Sequence, residues 1–396
     1  MKRRAFVTGR AMTCSLGDSL EGIVDAVRHK RIKLEHIGGT DFKSVPLALP
    51  YTRPYYLINR DERDKLDNRS AEYFYAILFS AVSRALQNAD LNRAEIKDMH
   101  VFFGSTSMDV PVFEGNHRKT SATVSGMFLQ SSCGYGKIAG AIVEKFGIGG
   151  NCYSFATACT SSANALLYAA AMIAEGHIER AMVVGYDLFN NLGFYGFEAL
   201  KSIAASEYRP FDRTRDGLIL GEACGAVVLE GRRRKAGDFM HLGGANICDT
   251  YSVASHDEEG SAVAETMNRA LRQAEINPEE IYAVKAHATG TENNDRTECA
   301  AMRVTFGNNL PPVTCIKPFI GHTVGACGVN ELILFTESVK AGFIPSTPGF
   351  REVDEELNLT PLTENREAGE GVFMLNYFGF GGNCTTLILS NKDNKG

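Results

Sequence analysis

The stretch S-R-A-L-Q-N-A-D-L-N-R-A-E-I-K-D-M-H-V-F-F-G-S-T-S, which begins at Ser83, returns in altered form as N-R-A-L-R-Q-A-E-I-N-P-E-E-I-Y-A-V-K-A-H-A-T-G-T-E from Asn268. Each copy reads as a helix, a polar turn, a strand and a corner of small residues. A second pair shares one plan. The runs from Asn151 (N-C-Y-S-F-A-T-A-C-T-S-S-A-N-A) and from Pro312 (P-V-T-C-I-K-P-F-I-G-H-T-V-G-A-C-G) each give an extended segment, a sharp corner and a helix that stops near Gly176 or Gly342, as a glycine C-cap predicts. A duplicated unit sets architecture before any motif is considered. Strand-to-helix alternation in both halves predicts an α/β layered fold, with mainly parallel strands covered by helices on their faces. The halves are expected to divide near the R-R-R-K loop, into an N-terminal half over residues 1–231 and a C-terminal half over 232–396. The apolar run Gly225–Leu229 would close the first half and His241–Ala245 would open the second. Ligand sites in such folds lie beyond the carboxyl ends of strands, where the small-residue corners fall, so a site shared between the halves is expected.

With 396 residues the chain can bury an ample core. A formal net charge of −6 argues against a broad nucleic-acid surface, and the basic run Arg232–Lys235 reads as a solvated loop. No run approaches the roughly 20 apolar residues of a spanning helix. The N-terminal M-K-R-R is followed by A-F-V-T-G-R-A-M-T, which carries Arg10, lacks a convincing cleavage site and reads as the first strand. The ten cysteines are scattered singly with no C-x-x-C pair, which fits a reducing cytoplasm better than a disulfide framework.

Four corners carry the chemistry. In A-T-A-C-T-S-S, Cys159 stands at the top of a strand-to-helix turn, where exposure and the helix N-terminus favour a thiolate nucleophile; the alternative is a small cysteine packed at a helix start. In K-A-H-A-T-G-T, His287 follows a strand end and precedes small hydroxyl residues. In K-P-F-I-G-H-T-V-G-A-C-G, duplication symmetry sets His322 beside Cys159, with Lys317 five residues upstream. Either histidine taken alone could be structural. In N-Y-F-G-F-G-G-N, the glycines at 379, 381 and 382 let the backbone approach a ligand closely. A zinc site from Cys315, His322 and Cys327 has no recognised ligand spacing, so no metal is expected.

Together the corners resemble the elongating β-ketoacyl-acyl carrier protein synthases of the thiolase superfamily, in which T-A-C-S/T-S, H-G-T-G/S-T, K-x-x-x-G-H and G-F-G-G occur in this order. Y-R-P-F-D-R-T-R-D-G-L-I-L-G-E-A-C-G-A from Tyr208 resembles a further family segment. The resemblance implies a thiolase-like fold, its two α/β halves stacked as five layers, α-β-α-β-α. It implies acyl transfer to Cys159, then decarboxylative condensation with a malonyl unit, with His287 and His322 donating to the enolate oxygen. Lys317 would orient a charged network near His322 with Asp295 and Glu298. The backbone N–H groups of Cys159 and Phe380 would form the oxyanion hole, and Thr289 and Thr291 would hold the pantetheine arm. Ser107, Tyr195, Phe197, Phe378 and Phe380 would line the acyl pocket; Ser107 stands where relatives often carry a large apolar residue. Arg63, Lys65, Arg118, Lys119 and Lys201 would face the acyl carrier protein. No permanently bound cofactor is implied, since substrates ride on the carrier's phosphopantetheine.

Departures from the pattern are Ala288 for the usual glycine, Asn383 for threonine, the loop S-V-A-S at Ser252–Ser255 without its usual histidine, and a shortened stretch between Glu114 and Ala122. A degradative thiolase would carry a C-x-G motif where G-F-G-G-N stands, and an initiating synthase would carry asparagine in place of His322. A noncatalytic partner subunit, like a chain-length factor, usually lacks the nucleophilic cysteine. Family members are dimers, so a homodimer or a heterodimer with such a homologue is expected. The pathway stays open between fatty-acid elongation and specialised polyene, aryl polyene or polyketide synthesis.

Overall fold

The computed structural model describes residues 3–38, 51–58, 70–121, 134 and 136–392. Its main sheet has ten strands: β1 (Ala5–Cys14), β2 (His100–Gly104), β3 (Cys152–Phe155), β4 (Arg180–Asp187), β5 (Ala223–Glu230), β6 (Phe239–Cys248), β7 (Ile281–Lys285), β8 (Val313–Thr314), β9 (Val372–Phe378) and β10 (Asn383–Ser390). Their order is β8-β7-β9-β10-β6-β1-β5-β4-β2-β3. Read outward from the middle, β1-β5-β4-β2-β3 and β6-β10-β9-β7-β8 are one topology written twice, joined where Ala5–Val7 pairs with Phe239–His241. Gly225–Leu229 lies within β5, His241–Ala245 lies within β6, and the R-R-R-K run falls between them.

The sheet is not mainly parallel. Neighbours β2–β3, β2–β4, β7–β8 and β7–β9 are parallel, while β1–β5, β4–β5, β6–β10, β9–β10 and β1–β6 are antiparallel. A fully buried strand reads as the same apolar run in either direction, so its pattern carries no polarity. β9 and β10 are joined by the glycine corner alone, too short for a crossover, and must run antiparallel.

Strand alternation sorts side chains between layers. On β2, Val101 and Phe103 pack with helices α1 (Ala71–Asn88) and α2 (Lys137–Phe146) on the outer face, while Phe102 points into the centre. The centre is filled by α3 (Ser161–Ala174) and α6 (Cys327–Lys340). On β9, Phe373 and Leu375 face the centre, and Met374 faces α4 (Ser261–Ala274) and α5 (Glu292–Phe306). The result is the five-layered thiolase-like order α1/α2, half-sheet, α3/α6, half-sheet, α4/α5. Among the described residues no helix is long and apolar enough to cross a membrane.

The two central helices are the ones that follow the Cys159 and His322 corners, so the burial that stabilises the core also fixes the site. Leu332, Ile333, Leu334 and Phe335 of α6 are almost wholly buried, each contributing about 1.5–3 kcal/mol. The helices touch backbone to backbone: a Cβ added at Gly328 would lie 2.1 Å from the Ala163 nitrogen. Gly328→Ala is therefore expected to destabilise by roughly 1–3 kcal/mol or more through overpacking, seen as a lower denaturation midpoint. An unchanged midpoint would show that α3 and α6 can separate freely.

Candidate active site

The first and second halves build matching corners. Short 3-10 turns at Ala158–Thr160 and Val324–Ala326 precede α3 and α6. The first residue of each turn has a left-handed backbone, with φ 50° at Ala158 and φ 45° at Val324. Such a conformation costs an L-residue about 1–2 kcal/mol, and here it swings the chain sharply from an extended segment into a helix. Gly325 occupies in the second corner the place that Cys159 occupies in the first; a Cβ there would press on Thr106. Asp187, at the end of β4, ties these corners together. Its carboxylate accepts from Ser105 Oγ at 2.8 Å, from Ser107 N at 2.7 Å and from Ala326 N at 3.0 Å.

Cys159 Sγ lies 3.1 Å from His322 Nε2, as duplication symmetry requires. The side chain is not exposed as its corner position suggested: Cys159 is 5% exposed, and burial pushes its thiol up to about 12, with Lys317 and the N–H groups of Phe380 and Cys159 opposing. Desolvation therefore outweighs the helix N-terminus and favours the neutral thiol. Both of those N–H groups reach the sulfur. Gly379 makes this approach possible, since a Cβ there would stand 3.0 Å from the Cys159 nitrogen.

The His287 ring stands 5.5 Å from the His322 ring, edge to face. Lys317 is not placed against His322. Its ammonium donates to His287 O at 2.6 Å and to His287 Nδ1 at 3.1 Å, and it pairs with Glu331 at 2.7 Å. An ammonium has three donors and no acceptor, so His287 Nδ1 must accept and its proton must sit on Nε2. Burial, then the Lys317 charge, holds His287 well below the ordinary imidazole range, and His322 is lowered for the same two reasons.

Asp295 and Glu298 support a different part of the site from the one expected. They hold the 287–290 backbone rather than Lys317: Glu298 accepts from the N–H groups of His287 and Ala288, both at 2.8 Å, and Asp295 accepts from Gly290 N at 3.1 Å and Phe211 N at 2.8 Å. This is the corner in which Ala288 replaces glycine, and its φ of 49° shows the left-handed turn that glycine would make without strain. The Phe211 bond also explains the Tyr208–Ala226 segment, which straps the first half onto this corner.

A cavity of about 150 Å³ opens over these groups, lined by Cys159, His287, His322, Thr289, Thr291, Phe378, Phe380 and Phe197 among others. Thr289 and Thr291 share a hydroxyl hydrogen bond of 2.8 Å. The Phe197 and Phe380 rings stack at 5.7 Å. Ser107 and Tyr195 do not line this cavity. Ser107 Oγ accepts from Asn190 Nδ2 at 2.8 Å, and Tyr195 packs edge-on against Phe194 at 5.7 Å; sequence position alone does not reveal the hydrogen bond that turns Ser107 aside. Lys201 is exposed beside the cavity residue Ser202. Arg63 and Lys65 lie outside the described residues, as do the side chains of Arg118 and Lys119. Three contributors escaped the motif reading. Glu331 and Lys285 form a buried ion pair of 2.6 Å. His256 lines the cavity just after the S-V-A-S loop, with Nδ1 3.2 Å from Asp249.

Models of the β-ketoacyl synthase N-terminal and C-terminal domains match residues 59–235 and 242–351. A putative polyketide β-ketoacyl synthase 1 of Streptomyces cyaneus is 30% identical over 69% of this chain and 68% of its own length. The chain belongs to the β-ketoacyl synthase family. The 3-oxoacyl-acyl-carrier-protein synthase 2 of Coxiella burnetii is 27% identical over 98% of this chain and 99% of its own. Among solved structures, the ishigamide ketosynthase/chain length factor superposes with a TM-score of 0.86 at 24% identity, covering 99% of this chain and all of that one (100%). Family membership makes the chain an acyltransferase-type condensing enzyme, with Cys159 and both histidines present in the matched regions.

Proposed function

We propose that this synthase extends an acyl chain held on Cys159 by two carbons taken from a malonyl unit, both delivered by an acyl carrier protein. The observation that carries the reading is one cavity into which a thiol, an imidazole 3.1 Å away and a second imidazole with its Nε2 proton fixed all converge. In the first step Cys159 Sγ attacks the acyl thioester, its proton passes to His322 Nε2, and the departing pantetheine thiolate takes that proton up. With the sulfur acylated, no S–H faces His322. Its Nδ1 has no hydrogen-bond partner among the described residues, so no acceptor holds a proton there, and exchange with solvent places it on Nε2. The malonyl carboxylate then leaves as CO2, and the bond pair forms an enolate whose oxygen accepts from both Nε2–H groups. The enolate carbon attacks the acyl-cysteine. The tetrahedral oxygen accepts from Cys159 N–H and Phe380 N–H, then collapses to the 3-ketoacyl product and a cysteine thiolate, which takes up a proton from solvent.

The test is incubation with acyl-carrier and malonyl-carrier substrates, reading a 3-ketoacyl-carrier two carbons longer by mass. The stacked Phe197 and Phe380 rings support a flat, unsaturated acyl chain and hence a specialised polyene, aryl polyenes included, over fatty-acid elongation. Faster turnover of a polyunsaturated than of a saturated acyl-carrier of equal length is expected. The reverse order would assign the enzyme to fatty-acid growth, and no product from either would sink the reaction itself.

Carrier docking is proposed at the cavity mouth. Lys201→Glu is expected to raise the KM for acyl-carrier roughly two- to fivefold in a salt-sensitive way, while sparing a small acyl thioester. Equal loss with both substrates would point to misfolding instead. Pairing with a second ketosynthase-like chain is proposed at the edge strand β3, whose residues alternate between exposed and half-buried, beside the half-exposed Tyr168 and its ring contacts with Phe102, Tyr153 and Phe155. Sedimentation should give twice the chain mass for the protein alone or mixed with a chain-length-factor homologue. A monomer in both would rule the pairing out.

A further inference from the structure

Lys285 ends β7, two residues before His287, in the otherwise apolar run I-Y-A-V-K. It is fully buried, as are Lys317 and Glu331. Its ammonium meets three acceptors: Glu331 Oε2 at 2.6 Å, the Asn376 carbonyl at 2.7 Å and the face of the Tyr377 ring, 3.6 Å from its centroid. Three donors matched by three acceptors is the surrounding of a charged ammonium, since a neutral amine would leave an acceptor unserved. Lys317 donates to the carbonyl and Nδ1 of His287 and forms an ion pair with Glu331 Oε1 at 2.7 Å. One carboxylate therefore stands between two buried ammoniums. For stability alone, a single lysine would balance Glu331, and a second buried cation with no carboxylate of its own is costly.

We propose that Lys285 is a positioning residue of the condensation site, a second ammonium that shares Glu331 with Lys317 and so maintains a net positive charge behind the two catalytic histidines. The inference rests on the condensation reading above.

The charged and titratable groups around His287 and His322 define what this charge does. Lys317 comes from the 317–322 corner, Glu298 and Asp295 from α5, Glu331 and Cys327 from α6, Tyr377 from β9, and Cys159 and His256 from the cavity wall. Glu298 is already committed to two backbone N–H groups, and burial pushes its carboxyl up to about 7. Asp295 is engaged by backbone N–H groups and lies 3.9 Å from Arg215. The excess charge from the second lysine is thus not cancelled locally. Its repulsion disfavours protonation of either histidine, and its attraction favours the anionic enolate that forms between them.

The sign of the expected change follows directly. Removing a positive charge makes the imidazoles easier to protonate, so the acidic fall-off in condensation rate moves to higher pH. The experiment measures kcat/KM for condensation against pH with acyl-carrier and malonyl-carrier, in wild type, Lys285→Gln, Lys285→Met and Lys285→Arg. Gln keeps a donor for the Asn376 carbonyl, and in both uncharged variants Glu331 remains paired one to one with Lys317. An acid limb raised by about one pH unit in the uncharged variants, with Lys285→Arg at the wild-type position, is expected. Superimposed limbs in wild type and a folded uncharged variant would overturn the proposal. So would failure of both uncharged variants to fold while Lys285→Arg folds, because the lysine would then serve core stability. A wild-type protein that forms no 3-ketoacyl product would instead overturn the condensation reading on which the inference stands.

Discussion

Cys159→Ala is expected to abolish acyl transfer and to lower condensation by at least about 10³-fold, whereas Cys159→Gln should stop condensation yet keep malonyl decarboxylation. The two activities separate because the site performs its two tasks with different atoms. Acyl transfer needs the sulfur, which sits 3.1 Å from His322 Nε2 and, among the described residues lining the cavity, is the one atom able to form the thioester. Decarboxylation needs the two Nε2–H groups, and neither substitution touches them. A glutamine side chain reaching into the acyl position presents an amide oxygen to the N–H groups of Cys159 and Phe380, imitating the acyl carbonyl. Incubation of wild type with acyl-carrier should add the acyl mass to the peptide containing Cys159. The neighbouring Cys327, whose thiol donates to Cys159 O at 3.0 Å, should remain unlabelled. Label on any other cysteine, or condensation by Cys159→Ala, would overturn the assignment.

How much of this site could be read from the sequence depended on whether a residue sat in a repeated corner. The duplication brought Cys159 and His322 together because the same strand, left-handed turn and helix are built twice, at Ala158 and at Val324. It could not supply the charge network, which joins one strand end to the middle of a helix. Glu331 lies within C-G-V-N-E-L-I-L-F, a run that reads as core helix, and Lys285 closes a strand that reads as core β. A signal was nonetheless present: a lone acid and a lone base in two elements predicted to be buried require each other, since neither can be buried unpaired. His256 is not legible in the sequence because it follows a loop, and a loop's side-chain directions are not periodic. Strand direction is not legible for the related reason that burial on both faces removes the alternation that tells edge from centre.

His287→Ala is expected to reduce malonyl decarboxylation by roughly 10²–10³-fold while leaving acylation of Cys159 largely intact. The geometry assigns His287 no contact with the sulfur; that contact belongs to His322. What His287 offers is a single donor whose orientation is fixed at three points. Glu298 holds its backbone N–H, Lys317 holds its carbonyl, and the same ammonium occupies Nδ1 and forces the proton onto Nε2. A neutral donor fixed in a buried site stabilises a developing oxyanion without reorganising, which is why one such group can carry so large a factor. Replacement by glutamine should recover part of the loss if the donor is what matters, because its amide N–H can approach the same oxygen. The measurement compares CO2 release from malonyl-carrier with acyl mass on Cys159 in each variant. Equal loss of both activities would mean that His287 maintains the cavity as a whole; loss of acylation alone would exchange the roles of the two histidines.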